Sequence, residues 1–208
     1  MLIYKAKFCK YKMAMFNNLE QLKKTVKNVL NAIATADAYG TGFESKSREW
    51  ICDPVNGIDF CDFIDARDLD SEKGKYRKGY FKGFVSDDTS QNIAVIQAII
   101  HGDFSDQSLL KYSREQYHQF KEKHGVSRAG YGSIRWVFNK KKWSLEQVRE
   151  CQRNKKDPGN AAVMCAMLIG LLKPSQITEF ATINANFTHP HPKSVAYNCY
   201  SMGNEIFC

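Results

Sequence analysis

Apolar residues recur along most of this chain at three- and four-residue intervals, the period of a helix that turns one face to a core. Leu19, Leu22, Val26, Val29, Leu30 and Ile33 form the first such face, and Tyr39-Gly40 is expected to end that helix in a left-handed glycine cap. A second helix is predicted from Ser86-Asp87, carrying Ile93, Val95, Ile96, Ile99 and Ile100, and another over residues 113–123, stopped by Gly125. Ser144 and Gln147 have the spacing of a capping box and open a helix to about Asn154. Residues 161–172 are apolar all round, which predicts a buried central helix. Pro174-Ser175 opens the last clear helix, ending before Thr188. Residues 45–80, rich in Asp, Gly and Ser, read instead as a long surface excursion. Residues 76–85 come nearest to a strand, and Gly79 and Gly83 weaken that pattern. The predicted class is all-α, with a basic segment over residues 1–18 and one helical domain over residues 19–208.

Composition leaves this picture standing and removes several classes. The 208 residues, 43% hydrophobic and 25% charged, can bury a core as a single domain and are unlike disordered or fibrous sequences. No apolar run approaches the ~20 residues that a membrane span needs. Residues 1–12 alternate Lys with aromatic and aliphatic residues and lack a signal-peptide cleavage site, so a cytoplasmic or nuclear location is expected. Seven cysteines, an odd number without a Cys-x-x-Cys pair, suggest reduced thiols rather than disulfides or a zinc site.

Charge adds a partner question. The 30 Lys+Arg against 22 Asp+Glu give +8, and the excess lies entirely before Asp157, with clusters at residues 5–12, 73–82 and 140–142. Such clusters are either a solvated basic face or a surface for nucleic acid or a phosphate-bearing ligand.

Four segments could carry chemistry. Ser86-Asp87-Asp88-Thr89 sets two carboxylates between two hydroxyls at a helix start. These are hard oxygen donors suited to Mg²⁺, Ca²⁺ or Mn²⁺, and equally the residues of an ordinary N-cap and first turn. Asp37 and Glu44 flank a glycine turn that could project an acid into a cleft, although either could serve as a cap or surface residue. Asp157-Pro158-Gly159-Asn160 leads into the apolar segment, and its exposed N–H groups form either a phosphate cradle or a plain turn. In Thr188-His189-Pro190-His191-Pro192 the prolines are expected to hold an extended backbone with both histidines on one side. These histidines read more readily as ligand contacts or packing than as a zinc site.

Taken in order, these segments resemble the ADP-ribosylglycohydrolase family, including its dinitrogenase-reductase-activating type. Asp37-x-x-Gly40-x-x-x-Glu44 is similar to the family's Gly-Asp-x-x-Gly-x-x-x-Glu, and Ser86-Asp87-Asp88-Thr89 to its Thr-Asp-Asp-Thr metal motif. Residues 159–164 resemble its Gly-Asn-Gly-x-x-Met-Arg segment, and residues 188–192 match its Thr-His-Pro-His-Pro outright. Gly130 and Gly132 fall where the family has a glycine-containing ligand loop. The likeness runs from about Asn31 to Tyr200. Departures are Ala36, Ser86, Ala161 and Cys165, which stand where the family has Gly, Thr, Gly and Arg. The family's later Asp-Thr-Asp motif has no counterpart before Cys208.

The resemblance implies an all-α hydrolase that removes ADP-ribose from a modified protein or small molecule with a magnesium pair. Ser86, Asp87 and Asp88 would hold one Mg²⁺, with the other side of the metal site missing. Glu44, with Asp87 and Asp88, would be catalytic. Gly159 and Asn160 would take the diphosphate, Gly130 and Gly132 the ligand loop, and His189 a ribose or the adenosine. The alternatives are a catalytically weak ADP-ribose-binding module, and a basic helical nucleic-acid-binding protein that uses aromatics near Tyr76, Tyr80 and Phe81.

Overall fold

The computed structural model describes residues 18–43, 47–53, 63, 83–101, 103–124, 131–132, 134–138, 143–156 and 159–201, with the side chains of 199–201 left aside. Among them every regular element is helical. Nine α-helices run in the order α1 Leu19–Thr41, α2 Arg48–Cys52, α3 Asp87–Ile100, α4 Asp106–His124, α5 Ile134–Phe138, α6 Leu145–Arg153, α7 Ala161–Met164, α8 Pro174–Thr188 and α9 Pro192–Ser201. A 3₁₀ turn, Met167–Leu171, lies between α7 and α8.

Two helices organise the rest. α3 packs against α4, α1 and the 3₁₀ turn, while α8 packs against α9, α6, α4 and the same turn. The composition of α3 suits this centre. Ala94 and Ala98 are fully buried and allow close approach, and Val95 and Ile99 fill the space beside them. They meet Leu109, Tyr112 and Tyr117 of α4, Phe180 and Phe187 of α8, and Cys165, Ala166 and Ile169 in one core. Phe104 stacks on Phe180 with ring centroids 4.5 Å apart, which joins the two centres.

Side chains tie the frame where backbone bonds cannot. Asn184 of α8 donates to the Ala162 carbonyl at 2.9 Å, and Asn198 of α9 donates to Ala181 at 2.7 Å. Arg149 of α6 closes the C-terminal end of α8. Its Nε donates to the Asn186 and Phe187 carbonyls, and Nη2 pairs with Asp106 at 2.6 Å.

Several boundaries differ from the sequence expectation. α1 runs through Gly40 and ends at Thr41 with Gly42 in right-handed geometry, so no left-handed cap forms there. α4 begins at Asp106 rather than residue 113, because the Ser105 hydroxyl accepts the Ser108 N–H and starts the helix earlier. Residues 48–52 form a short helix capped by Ser47 inside the supposed irregular stretch. The central apolar helix does not form as one piece. α7 stops at Met164, the chain continues as a 3₁₀ turn, and Met167 is exposed. The cause is competition for carbonyls: Asn92 of α3 takes Met164 and Asn184 takes Ala162, so the segment is held from both sides rather than by its own ladder. α9 was not expected. Pro190 sits in a tight turn, with the His191 N–H donating to the His189 carbonyl at 2.7 Å, and Pro192 begins the next helix. Positive φ at Gly83 (76°) ends any strand there, and most of residues 76–85 lie outside the described residues. The Ser86 start and the Ser144–Gln147 capping box appear as expected.

Candidate functional site

The end of α1 and the start of α3 share one carboxylate. The first N–H groups of a helix lack intrahelical acceptors and carry the positive end of its dipole. Here Asp37 supplies the acceptor from another helix. Its Oδ2 takes hydrogen bonds from the Ser86 N–H (2.9 Å), the Thr89 N–H (3.1 Å) and the Thr89 hydroxyl (2.6 Å). Thr41 braces Asp37 by donating its hydroxyl to the Asp37 carbonyl at 2.7 Å and to Oδ1 at 3.3 Å. Ser86 adds its own cap, accepting the Asp88 N–H at 3.2 Å.

Asp87 is turned inward from the same turn. Its Oδ2 accepts the Tyr131 N–H at 2.7 Å and the Gln91 amide at 2.8 Å. Burial pushes the Asp87 carboxyl above its ordinary range, and the negative charge of Asp37 adds to the rise against the hydrogen bonds from Tyr131 and Gln91. The Cys165 thiol, where the resembled family has arginine, donates to Gln91 Oε1 at 3.2 Å. Burial keeps that thiol protonated, with Asp87 and Asp88 opposing a second negative charge. Asp88 lies alongside, half-buried.

Tyr131 reaches Asp87 through an unusual backbone. It has φ 55°, a conformation costing about 1–2 kcal/mol for a residue with a Cβ. Its hydroxyl is 2.6 Å from the Ser90 hydroxyl, and its ring packs edge-on against Tyr117 and Phe138. Gly132 follows with φ 44° and is exposed. Gly130 and Glu44 lie outside the described residues.

A second pole forms around His189. Its Nδ1 is 2.8 Å from the Thr188 hydroxyl, and Gly159 presses close enough that a Cβ there would sit 3.2 Å from Nε2. Burial lowers the His189 pKa to about 4, with the positive charge of Lys155 acting in the same direction, so the ring is neutral at pH 7. Ser194 of α9 donates to the Gly159 carbonyl at 3.4 Å. Asn160 is exposed and makes no side-chain cap bond. His191 is separate from this pole: its Nδ1 accepts the Lys193 N–H at 3.1 Å and caps α9. The two histidines therefore do not form a pair.

The two poles stand at opposite ends of α7. At one end Cys165 and the Met164 carbonyl meet Gln91 and Asn92 of α3, and at the other Gly159 meets His189. Four helical residues rise about 6 Å.

The donors at the acid pole are already engaged within the protein. Asp37 Oδ2 is filled by three protein donors and Asp87 Oδ2 by two. Among the described residues no group of three or more His, Cys, Asp and Glu side chains could hold a metal ion. The described set does not fit a complete magnesium site, which needs six oxygens. The basic clusters and the Tyr76, Tyr80 and Phe81 aromatics lie outside the described residues. No helix among those described is long and apolar enough to cross a membrane. Of the cysteines described, Cys52 and Cys151 are exposed and Cys165 is buried, all as free thiols.

Of the residues that sequence reasoning singled out, Ser86, Asp87, Asp88, Gly132, Gly159, Asn160 and His189 are described, and Glu44 and Gly130 are not. The structure brings the first three together at one pole, and Gly159 and His189 at the other. It adds Gln91, Tyr131 and Lys155, and gives contacts to Cys165 and Thr188. The signal for Gln91 was its place one turn after Asp87, and for Tyr131 its place between two glycines.

The frame is all-helical among the described residues, with paired acids at the start of α3 and a neutral histidine between α8 and α9. The family model described as ADP-ribosylglycohydrolase matches residues 18–202, and the chain belongs to that family. No curated protein and no solved structure is matched by the chain.

Proposed function

We propose that this chain hydrolyses the glycosidic bond joining ADP-ribose to a modified protein side chain or other acceptor. The observation that supports this most is the pairing of poles across α7. Asp87 reaches one end of α7 through Gln91 and Cys165, with Asp88 beside it in the first turn of α3, and neutral His189 meets Gly159 at the other end. A ribose at the acid end and a diphosphate or adenosine toward His189 would use both. Water adds to the anomeric carbon as the bond to the acceptor breaks, and the acceptor leaves with a proton. The reaction passes through an oxocarbenium-like state that nearby carboxylates stabilise. Glu44, a few residues beyond the end of α1, is the group we assign to the water or the leaving atom. Gly159 and Asn160, with Gly130 and Gly132, would meet the diphosphate through backbone N–H groups. Asp87, Asp88 and Ser86 offer Mg²⁺ some oxygen donors but, among the described residues, not a complete shell.

A second reading has its own support: a module that binds ADP-ribose without turning it over. The Oδ2 atoms of Asp37 and Asp87 are already committed to protein donors. An ADP-ribosylated protein incubated with the chain, with and without Mg²⁺, separates the two. Release of ADP-ribose that is lost in Asp87→Ala supports hydrolysis. Binding of ADP-ribose without release supports the module.

A further inference from the structure

The hydrogen bonds of Asp37 give it a task that the metal and substrate assignments leave open. It is the acid of the first motif, yet none of its described bonds faces outward. One oxygen collects three donors from the second motif, 49 and 52 residues away in the chain. Charge-assisted bonds of this kind are roughly twice as strong as neutral ones. They fall on Ser86 and Thr89, which bracket Asp87 and Asp88.

We infer that Asp37 is a positioning residue. Through Ser86 and the Thr89 hydroxyl it holds the first turn of α3, and so aims Asp87 and Asp88 at the ADP-ribose ligand. This rests on the ADP-ribose reading above. Three features lead to it. The first turn of a helix is where it frays, because its N–H groups have no partner within the helix. Ser86 caps Asp88 at 3.2 Å, and Asp37 reaches both the residue before the acids and the residue after them. The hold also extends beyond the turn: Asp87, within the clamped turn, accepts the Tyr131 N–H at 2.7 Å and so ties that turn to the backbone at residue 131. Thr41 completes it from the α1 side by fixing Asp37 itself. The two motifs thus act as one device, an acid on one helix reading the hydroxyl on another.

The test uses the full chain and its affinity for ADP-ribose, with thermal melting measured on each variant. Thr89→Val keeps the side-chain shape and removes only the hydroxyl. It is expected to remain folded and to weaken ADP-ribose binding about tenfold, the scale of one charge-assisted hydrogen bond. Thr89→Ser returns the hydroxyl and is expected to bind within about threefold of wild type, by the same reasoning. Asp37→Asn, which keeps an acceptor oxygen, should fall between wild type and Asp37→Ala. The double variant Asp37→Ala/Thr89→Val should bind no more weakly than Asp37→Ala alone, because both remove one interaction. A folded Thr89→Val chain that melts earlier but binds as wild type would make the clamp merely structural and overturn the inference. So would additive losses in the double variant. Absence of binding by the wild-type chain is a different result, which overturns the ADP-ribose reading and the inference with it.

Discussion

The two poles of the site are built by different physics. At the acid pole, Asp37 and Asp87 are like charges kept near one another because each faces donors: the start of α3 for one, Tyr131 and Gln91 for the other. Its parts sit on long helices, α1 and α3. At the histidine pole there is no fixed charge on the ring. His189 is neutral, its neighbours are a glycine and a hydroxyl, and it hangs between the end of α8 and the start of α9. Charge and hydrogen-bond geometry therefore govern the first pole, and volume and protonation the second.

That contrast can be broken in order of effect. The largest change is expected from Asp37→Ala, which strips three donors at the start of α3. A loss of about 3 kcal/mol, a fall in melting temperature near 6–12 °C for a chain of this size, is expected in thermal denaturation. A loss below about 0.5 kcal/mol would remove the charge-governed half of the comparison.

Next comes pH. His189 has a folded pKa of about 4 against an ordinary 6.5, so the unfolded chain binds the proton first as pH falls. Its contribution is fully present above pH 6.5 and is lost progressively between 6.5 and 4. About 3 kcal/mol should disappear over that window in denaturant titrations. Asp87, with its carboxyl raised, acts in the opposite sense in the acid range. The difference between wild type and His189→Gln isolates the histidine, and parallel curves for the two would show that the ring is not held neutral.

A smaller effect is expected from Gly159→Ala. The added Cβ meets the imidazole at 3.2 Å, so the ring must shift, at about 1 kcal/mol. Nuclear magnetic resonance of the His189 ring should report the displacement, while the Asp37 clamp stays intact. The smallest is Ser144→Ala, which removes the capping box of α6 away from both poles. About 0.5 kcal/mol of stability should go without a change in ADP-ribose affinity.

Much of the frame was legible because it is local. The Leu19–Ile33 stripe, Ser86 ahead of two acids, and Ser144 with Gln147 each express a helix within a few residues. What stayed hidden depends on distant groups. The break after Met164 comes from Asn92 and Asn184 on other helices, which no hydropathy pattern records. The early start of α4 rests on Ser105, a single hydroxyl ahead of a largely polar helix. α9 was obscured by its two prolines, one of which makes a turn while the other starts the helix. For the site, residue types marked Asp87, Asp88 and His189, since acids and a histidine in short motifs are recognisable. The contacts of Cys165 and Tyr131 were not recognisable, because a thiol or a backbone N–H acquires meaning only when the fold brings it to its partner.

The central claim is that the two poles serve one ligand, ADP-ribose. Calorimetric titration of the full chain with ADP-ribose, with and without Mg²⁺, tests it most directly. A saturable heat in at least one condition, weakened in Gly159→Ala, is the predicted result. No heat in either condition would contradict the account.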